Sequence, residues 1–238
     1  MMERLLERLT EKLKSAAGDN LRSVVLYGSA ASGEFRRKHS DFNVLCILRR
    51  NDSAELADLH GPAKWWARKG QPAPLVFTED ELRRSADFYA IELLEIKQRR
   101  KVLFGEDLFE RFEPPMDKYK LQVERELRHG LVRLRQNYLL AAGSRRAVMA
   151  LMVRSYSTFA VLFRHALVAL GEDGSPAKQE AVERLARVLG FSAASFEELG
   201  KLRRGEIKAR NLDAERVFSD YLKAVTRAVD EIDRRLAS

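Results

Sequence analysis

The sequence predicts an α+β protein in which a mixed-sheet domain is followed by an all-α helical bundle domain. Three observations predict this class. Short apolar runs alternate with amphipathic helical patterns up to about residue 105, strand patterns then stop, and leucine, valine and alanine recur every three or four residues beyond that point. Glu113-Pro114-Pro115 lies between the two patterns and is typical of a linker. We therefore place the domains at residues 1–112 and 113–238.

Glycine and proline divide the first domain into its elements. Leucines at helical spacing predict a helix over 3–17 that ends at Gly18, and Gly61-Pro62 should divide a later helical stretch into two. A further helix is expected beyond Gly28, after the first strand. The other predicted elements are strands at 23–27, 42–48, 74–78 and 91–104, and helices within 53–69 and at 79–87.

Beyond the linker, apolar residues keep helical spacing. The stripe that contains Tyr156, Phe159 and Phe163 predicts a buried bundle core rather than a cofactor site. Helices joined by short connections should pack as an antiparallel bundle. Their predicted spans are 117–140, 144–170, 176–189, 195–203 and 213–236.

The net charge of +8 and the pI of about 9.7 indicate an anionic ligand. The excess is shared equally by residues 1–105 and 106–238, so neither part is a basic arm. Two local clusters, at 36–38 and 97–101, fit phosphate contacts and solvated surface equally well. A nucleotide explains the charge as well as a polymer does, and nucleic acid is an open but not favoured partner.

The apolar runs of the sequence fall short of the roughly 20 residues that a membrane-spanning helix needs. The first residues also lack the apolar segment of a secretory signal. We therefore expect a cytoplasmic protein without a membrane partner. The single cysteine, Cys46, lies in an apolar run and is expected to be a small buried hydrophobe.

Residues 26–43 carry the motif that points to chemistry. A strand that runs into Gly28-Ser29 and then a helix places backbone N–H groups and a hydroxyl where a phosphate tail can bind. Asp41 and Asn43 lie two residues apart on the next strand, so both side chains should project from one face. Two oxygen ligands in that arrangement can share a metal ion.

Tyr27-Gly28-Ser29, followed after eleven residues by Asp41-Phe42-Asn43, resembles the motif of the nucleotidyltransferase superfamily. This superfamily has a DNA-polymerase-β-like core and includes the kanamycin nucleotidyltransferases. The resemblance covers about residues 20–105; 102–107 is similar to the closing strand of the family, and the helical second half is similar to the bundle of its small members. It implies transfer of a nucleoside monophosphate from a purine nucleoside triphosphate such as ATP to an acceptor, with release of pyrophosphate.

The resemblance also implies roles for individual residues. Gly28, Ser29 and Ser40 would bind the nucleotide. Asp41 would be the catalytic residue, and Asp41 and Asn43 would contact the metal. The acceptor would bind at the interface between the two domains.

The family pattern has two Mg²⁺ ions held by three carboxylates. Here Asn43 stands where the second acid belongs, and its amide offers one neutral oxygen. Because loss of a negative charge weakens the binding of a dication, we expect weak or single-ion Mg²⁺ binding.

The third carboxylate does not follow from the motif. Glu92 and Glu95 are the nearest candidates on the predicted strand 91–104, where they would point to opposite faces. We choose Glu95; the competing interpretation is an acid paired with neighbouring arginines.

Two other functions compete with an active transferase. A catalytically inactive nucleotide-binding or regulatory protein explains Asn43 directly, because its acid set is incomplete. A toxin–antitoxin-type RNA-acting module is disfavoured: the associated ribonuclease domains resemble one another in an Arg and a His separated by about four to six residues on one helix, whereas three residues separate Arg125 from His129. We expect transferase activity to be weak or absent.

Overall fold

The computed structural model describes residues 2–32, 41–113, 115–116, 118–173 and 177–236. The chain divides into two units, residues 1–116 and 117–238. In the described residues, the first unit contains a mixed sheet with helices and the second unit is helical. This arrangement confirms the predicted α+β class with a helical second part.

The described strands of the first unit form one mixed sheet. They are β1 (Leu21–Tyr27), β2 (Asn43–Leu48), β3 (Leu75–Thr78) and β4 (Arg100–Gly105), in the order β3-β2-β1-β4. Strand β1 is antiparallel to both β2 and β4, and β2 is parallel to β3. Strand β1 therefore lies in the middle of the sheet, and its end is held on both sides.

Helices precede and connect these strands. They are α1 (Met2–Ala17), α2 (Ser53–Asp58), α3 (His60–Ala67), α4 (Glu79–Arg84) and α5 (Ala90–Gln98). Two helices form, as predicted, but the break lies at Leu59 and not at Gly61-Pro62. Pro62 lies in the first turn of α3, where the backbone N–H groups have no partner within the helix, so its missing N–H is tolerated. Thr78 begins α4 with a capping box that it shares with Glu81.

The sheet is buried on both faces because successive strand residues point to opposite sides. Val24 and Leu26 pack with α1 and with Trp66, whereas Val25 and Leu45 pack with α4 and α5. Burial on both faces explains why the strands read as nearly continuous apolar runs. Cys46 has no exposed surface, and burial raises the pKa of its thiol to about 12, which confirms the expected buried hydrophobe.

The predicted strand over 91–104 is wrong in its first half. Residues Ala90–Gln98 form helix α5, and only Arg100–Gly105 form β4. Residues Leu93 and Ile96 lie three apart and are both buried against the sheet, a spacing that fits a helical face. Apolar residues also occupy the other side of α5, which removes the periodicity that separates a helix from a buried strand.

The second unit contains, in its described residues, α6 (Tyr119–Ala141), α7 (Arg145–Ala169), α8 (Lys178–Leu189), α9 (Ala194–Arg204) and α10 (Ala214–Leu236). Its core is aromatic. Phe196 lies 5.3 Å from Phe163 and 4.8 Å from Tyr221, measured between ring centroids. Phe159 and Tyr156 are buried as well, which confirms that the apolar stripe of α7 is bundle core.

Helix α7 is, among the helices described, the one long and apolar enough to cross a membrane by length and composition alone. Half of its most apolar window is buried inside the protein. The core helix of a bundle in water meets the same criteria.

Candidate functional site

The turn after β1 is built around Gly28. Its φ is +74°, in the left-handed region that favours glycine. The Gly28 N–H donates to the Arg99 carbonyl at 2.9 Å, and the Gly28 carbonyl accepts from the N–H groups of Ala31 and Ser32 at 3.0 and 3.2 Å. These bonds close one 3-10 turn over Gly28–Ala30. The helix predicted beyond Gly28 is a single turn in the described residues, and residues 33–40 lie outside them.

The hydrogen bonds of this turn decide which groups can meet a phosphate. The Gly28 N–H is already used by Arg99. Among the described residues, the N–H groups of Ser29 and Ala30 have no acceptor, as is usual for the first residues of a helical turn. An anion would therefore meet Ser29 and Ala30, while Gly28 supplies the backbone angle. The sequence motif did not single out Ala30.

The antiparallel pairing of β1 with β2 brings the two parts of the motif together. Asn43 lies opposite Tyr27 in the register. A Cβ atom built on Gly28 would lie 3.3 Å from Asn43 Nδ2, so the amide side chain lies directly beside the turn. Asp41 is exposed and precedes the first residue of β2 by two positions. Ser40, the remaining predicted nucleotide-binding residue, lies outside the described residues.

Phe42 lies between the two predicted metal contacts and packs on the face of the sheet that α1 and α3 cover. Its N–H donates to Gln71 Oε1 at 2.8 Å, and its ring centroid lies 6.1 Å from that of Trp66. Phe42 and Trp66 are both buried. The segment that carries Asp41 is thus anchored to the core at the next residue.

Tyr27 is a neighbour of the site that the sequence did not identify as functional. It is half-buried, and it packs on the face of the sheet that α5 covers. The pKa of Tyr27 is raised to about 12, mainly by burial and to a smaller extent by the negative charge of Glu92. Tyr27 therefore stays protonated at neutral pH, and Glu92 lies close enough to act on it.

The two candidates for a third carboxylate lie on a helix and not on a strand. Glu92 and Glu95 are three residues apart in α5, a spacing that puts them on one helical face rather than on opposite faces of a strand. Glu92 is exposed, whereas Glu95 is half-buried with one carboxylate oxygen out of contact with solvent. Of the two, Glu92 is the one whose charge contributes to the raised pKa of Tyr27.

The described residues do not fit a two-ion magnesium centre. No group of three or more His, Cys, Asp or Glu side chains among them lies close enough to hold a metal ion. Within the motif, Asp41 supplies one carboxylate and Asn43 one neutral oxygen. A divalent ion prefers several anionic or carbonyl oxygens, and this pair provides few of them.

Part of the basic cluster at 97–101 is engaged in ion pairs. Arg100 Nη2 lies 2.8 Å from Asp107 Oδ2, and hydrogen bonding to Arg100 lowers the pKa of the Asp107 carboxyl. Lys101 Nζ lies 3.9 Å from a carboxylate oxygen of Glu3. These contacts favour a structural role for both cations. The cluster at 36–38 lies outside the described residues.

Comparison with known proteins identifies the first unit. Residues 2–102 match the family model of the nucleotidyltransferase domain, which confirms the resemblance carried by the motif. These residues form a nucleotidyltransferase domain.

One similar solved structure is the spectinomycin adenyltransferase AAD(9) from Enterococcus faecialis, crystallised with ATP and spectinomycin. The two chains are 12% identical, and their alignment covers 99% of each chain with a TM-score of 0.53. At this identity the comparison shows a shared fold. No curated protein matches the sequence.

Proposed function

We propose that this chain binds a purine nucleoside triphosphate, ATP in the first instance, at the turn Gly28–Ala30 and transfers its nucleoside monophosphate to an acceptor. The observation that carries the proposal is the turn itself. In a nucleotidyltransferase domain, the N–H groups of Ser29 and Ala30 have no acceptor among the described residues, and Asn43 lies directly beside them. The presence of ATP in the similar adenyltransferase structure supports the choice of nucleotide.

The proposed reaction is a displacement at the α-phosphorus. An acceptor oxygen forms a bond to this atom, the bond to the bridging oxygen breaks, and pyrophosphate leaves with the electron pair. The proton of the acceptor hydroxyl passes to a base. We assign this base to Glu92, because it is exposed, belongs to the helix that covers this face and acts electrostatically on Tyr27.

Magnesium would arrive with the nucleotide phosphates. Asp41 is the carboxylate that we propose as its protein contact, with Asn43 as a neutral oxygen donor and Ser40 beside them in the motif. Since this donor set lacks the second and third acids, weak or single-ion binding and a low transfer rate are expected.

A second candidate function is nucleotide binding without turnover. Asn43 favours it, because binding through Ser29 and Ala30 needs no second acid whereas transfer does. In that case the chain would respond to the nucleotide as a ligand, and the transfer step would be absent.

The acceptor is left open in this proposal. Aminoglycoside, protein and RNA hydroxyls all suit the chemistry, and a fold alone does not select among them. Spectinomycin belongs in the first acceptor panel because it is present in the similar structure.

The experiment compares the native chain with Asp41→Ala and Asn43→Asp. Calorimetric titration with ATP and Mg²⁺ should show binding to the native chain, loss of most of it in Asp41→Ala, and tighter metal binding in Asn43→Asp. Asp58→Ala removes an exposed carboxylate at the end of α2 and is the matched control.

Labelled ATP and the acceptor panel then separate the two candidate functions. Slow transfer by the native chain that accelerates in Asn43→Asp supports a transferase with a degraded metal site. Binding without transfer in both proteins supports the non-catalytic function. Absence of ATP binding in the native chain would contradict both.

A further inference from the structure

Three cations lie over one tryptophan ring on the face of the sheet covered by α1 and α3. The ring centroid of Trp65 lies 5.6 Å from Arg8 Cζ, 5.4 Å from Lys12 Nζ and 5.9 Å from Lys69 Nζ. Arg8 and Lys12 are one turn apart on α1, and Lys69 follows the end of α3. We call these four residues the Trp65 surface.

The charge of the Trp65 surface is not neutralised within the described part of the chain. None of its three cations forms an ion pair with a described carboxylate. The nearby glutamates of α1 that do form ion pairs, Glu3 and Glu11, bind Lys101 and Lys14. Attraction to the ring offsets part of the repulsion among the three cations, and an anion bound between them would offset more.

The ring at the centre of this surface is braced. Trp65 is partly exposed and lies nearly parallel to Trp66, with 6.1 Å between ring centroids and 24° between ring planes. Trp66 is fully buried and contacts the core. Since the ring is already ordered, little conformational entropy is lost when a planar group packs on it.

We infer that the Trp65 surface binds single-stranded nucleic acid, with a base stacked on Trp65 and adjacent phosphates held by the three cations. A positively charged surface with an accessible aromatic ring is the usual arrangement for this ligand, because every base has a flat face and every nucleotide carries a phosphate. The overall charge of +8 adds long-range attraction.

The even distribution of charge along the sequence did not favour nucleic acid. The surface could not be seen in the sequence because the cations of α1 and α3 meet at one ring only in the folded chain.

A membrane surface with anionic lipids is the competing partner. It is disfavoured because the four residues offer a single braced ring and no aliphatic side chain for insertion into a bilayer. The inference is independent of nucleotidyl transfer, so its test contains no nucleoside triphosphate.

The test measures fluorescence anisotropy of labelled 20-nucleotide oligo(dT) and oligo(U) with the full chain at increasing salt. Binding should weaken with salt, and Lys12→Gln should reduce the slope of log K against log salt by about 0.7. Lys14→Gln is the matched control: it removes the same charge from the same helix, but its ammonium pairs with Glu11 and lies over Phe104. This control should leave slope and affinity unchanged.

The contribution of stacking is tested at Trp65. Trp65→Ala should weaken binding roughly 5- to 150-fold, and Trp65→Phe, which keeps a ring, should restore most of the affinity. A base stacked on Trp65 should also quench part of the tryptophan emission. The quenched part is assigned to Trp65, because Trp66 is fully buried and out of reach of the oligonucleotide.

Three results would overturn the inference. One is equal effects of Lys12→Gln and Lys14→Gln, which would indicate nonspecific charge attraction. Another is undiminished binding by Trp65→Ala in a protein whose circular dichroism and melting match the native chain. The third is binding to phosphatidylserine vesicles with no binding to either oligonucleotide, which would assign the surface to a membrane.

Discussion

Replacement of Gly28 by alanine tests the turn on which the candidate site depends. At a φ of +74°, an alanine costs about 1–2 kcal/mol relative to its preferred conformations. The less flexible unfolded chain offsets about 0.4–1 kcal/mol of this cost. The new Cβ would also lie 3.3 Å from Asn43 Nδ2, so the amide must move by a few tenths of an ångström. We expect the free energy of unfolding to fall by about 1 kcal/mol.

Gly70 provides the matched control. Its φ is +75°, and a Cβ built on it meets no atom within 4 Å. Gly70→Ala therefore imposes the same backbone cost in the same unit without a contact at the turn. The two variants should have similar stability, and only Gly28→Ala should bind ATP less tightly, by about tenfold or more.

Urea unfolding followed by tryptophan emission measures the free energy of unfolding. Trp65 and Trp66 are the two tryptophans of the chain and both belong to the first unit, so their emission follows the unfolding of that unit. Calorimetric titration with ATP measures the affinity for ATP. Equal ATP affinity in Gly28→Ala and Gly70→Ala would refute a role of this turn in nucleotide binding, and undiminished stability of both would refute the backbone cost.

Two further variants test how the sheet is held together. Gly105→Ala puts a Cβ 1.9 Å from the Arg22 carbonyl oxygen at a φ of +77°, so the β1–β4 pairing must shift. We expect the free energy of unfolding in urea to fall by about 3 kcal/mol or more, well above the loss in Gly70→Ala. Similar losses in the two variants would contradict this contact. Arg100→Gln should cost about 0.2–1 kcal/mol at neutral pH. Since Arg100 lowers the pKa of the Asp107 carboxyl in the folded state, this difference should shrink as the pH falls below about 4, and a difference that grows in acid would contradict the ion pair.

The architecture could be predicted from the sequence wherever burial leaves a clear pattern. Strands β1 and β2 are buried on both faces and read as apolar runs bounded by turn residues. The long helices of the second unit keep an apolar stripe, and their predicted spans agree with α6–α10 to within a few residues. In both cases one local pattern is enough to specify the element.

Helix α5 could not be predicted in this way. Its sequence, Ile91-Glu92-Leu93-Leu94-Glu95-Ile96, places apolar residues at both strand and helix spacing. The incorrect strand put Glu92 and Glu95 on opposite faces, so that only one of them could face the site, and we chose Glu95. The helix puts both on one face, and Glu92 is the acid that acts on Tyr27.

The candidate site shows the same limit. The motif predicts a site at Gly28, Ser29 and Asn43, and the strand register places Asn43 beside the turn that begins at Gly28. The hydrogen bond from Gly28 to Arg99 joins residues far apart in sequence, so only the fold shows that the Gly28 N–H is already used. The same holds for Ala30, whose N–H has no acceptor among the described residues. The cations near Trp65 could not be predicted from the sequence for the same reason, because Arg8 and Lys12 lie far from Trp65 in the chain.

Hydrogen–deuterium exchange of the full chain with and without ATP and Mg²⁺ tests the central claim most directly. The amides of Ser29 and Ala30 have no acceptor among the described residues, so a phosphate bound to them should slow exchange in the peptide that spans residues 27–32. Slower exchange there, at ATP concentrations that saturate binding, is the predicted result. Saturated ATP binding with unchanged exchange in this peptide would contradict the account.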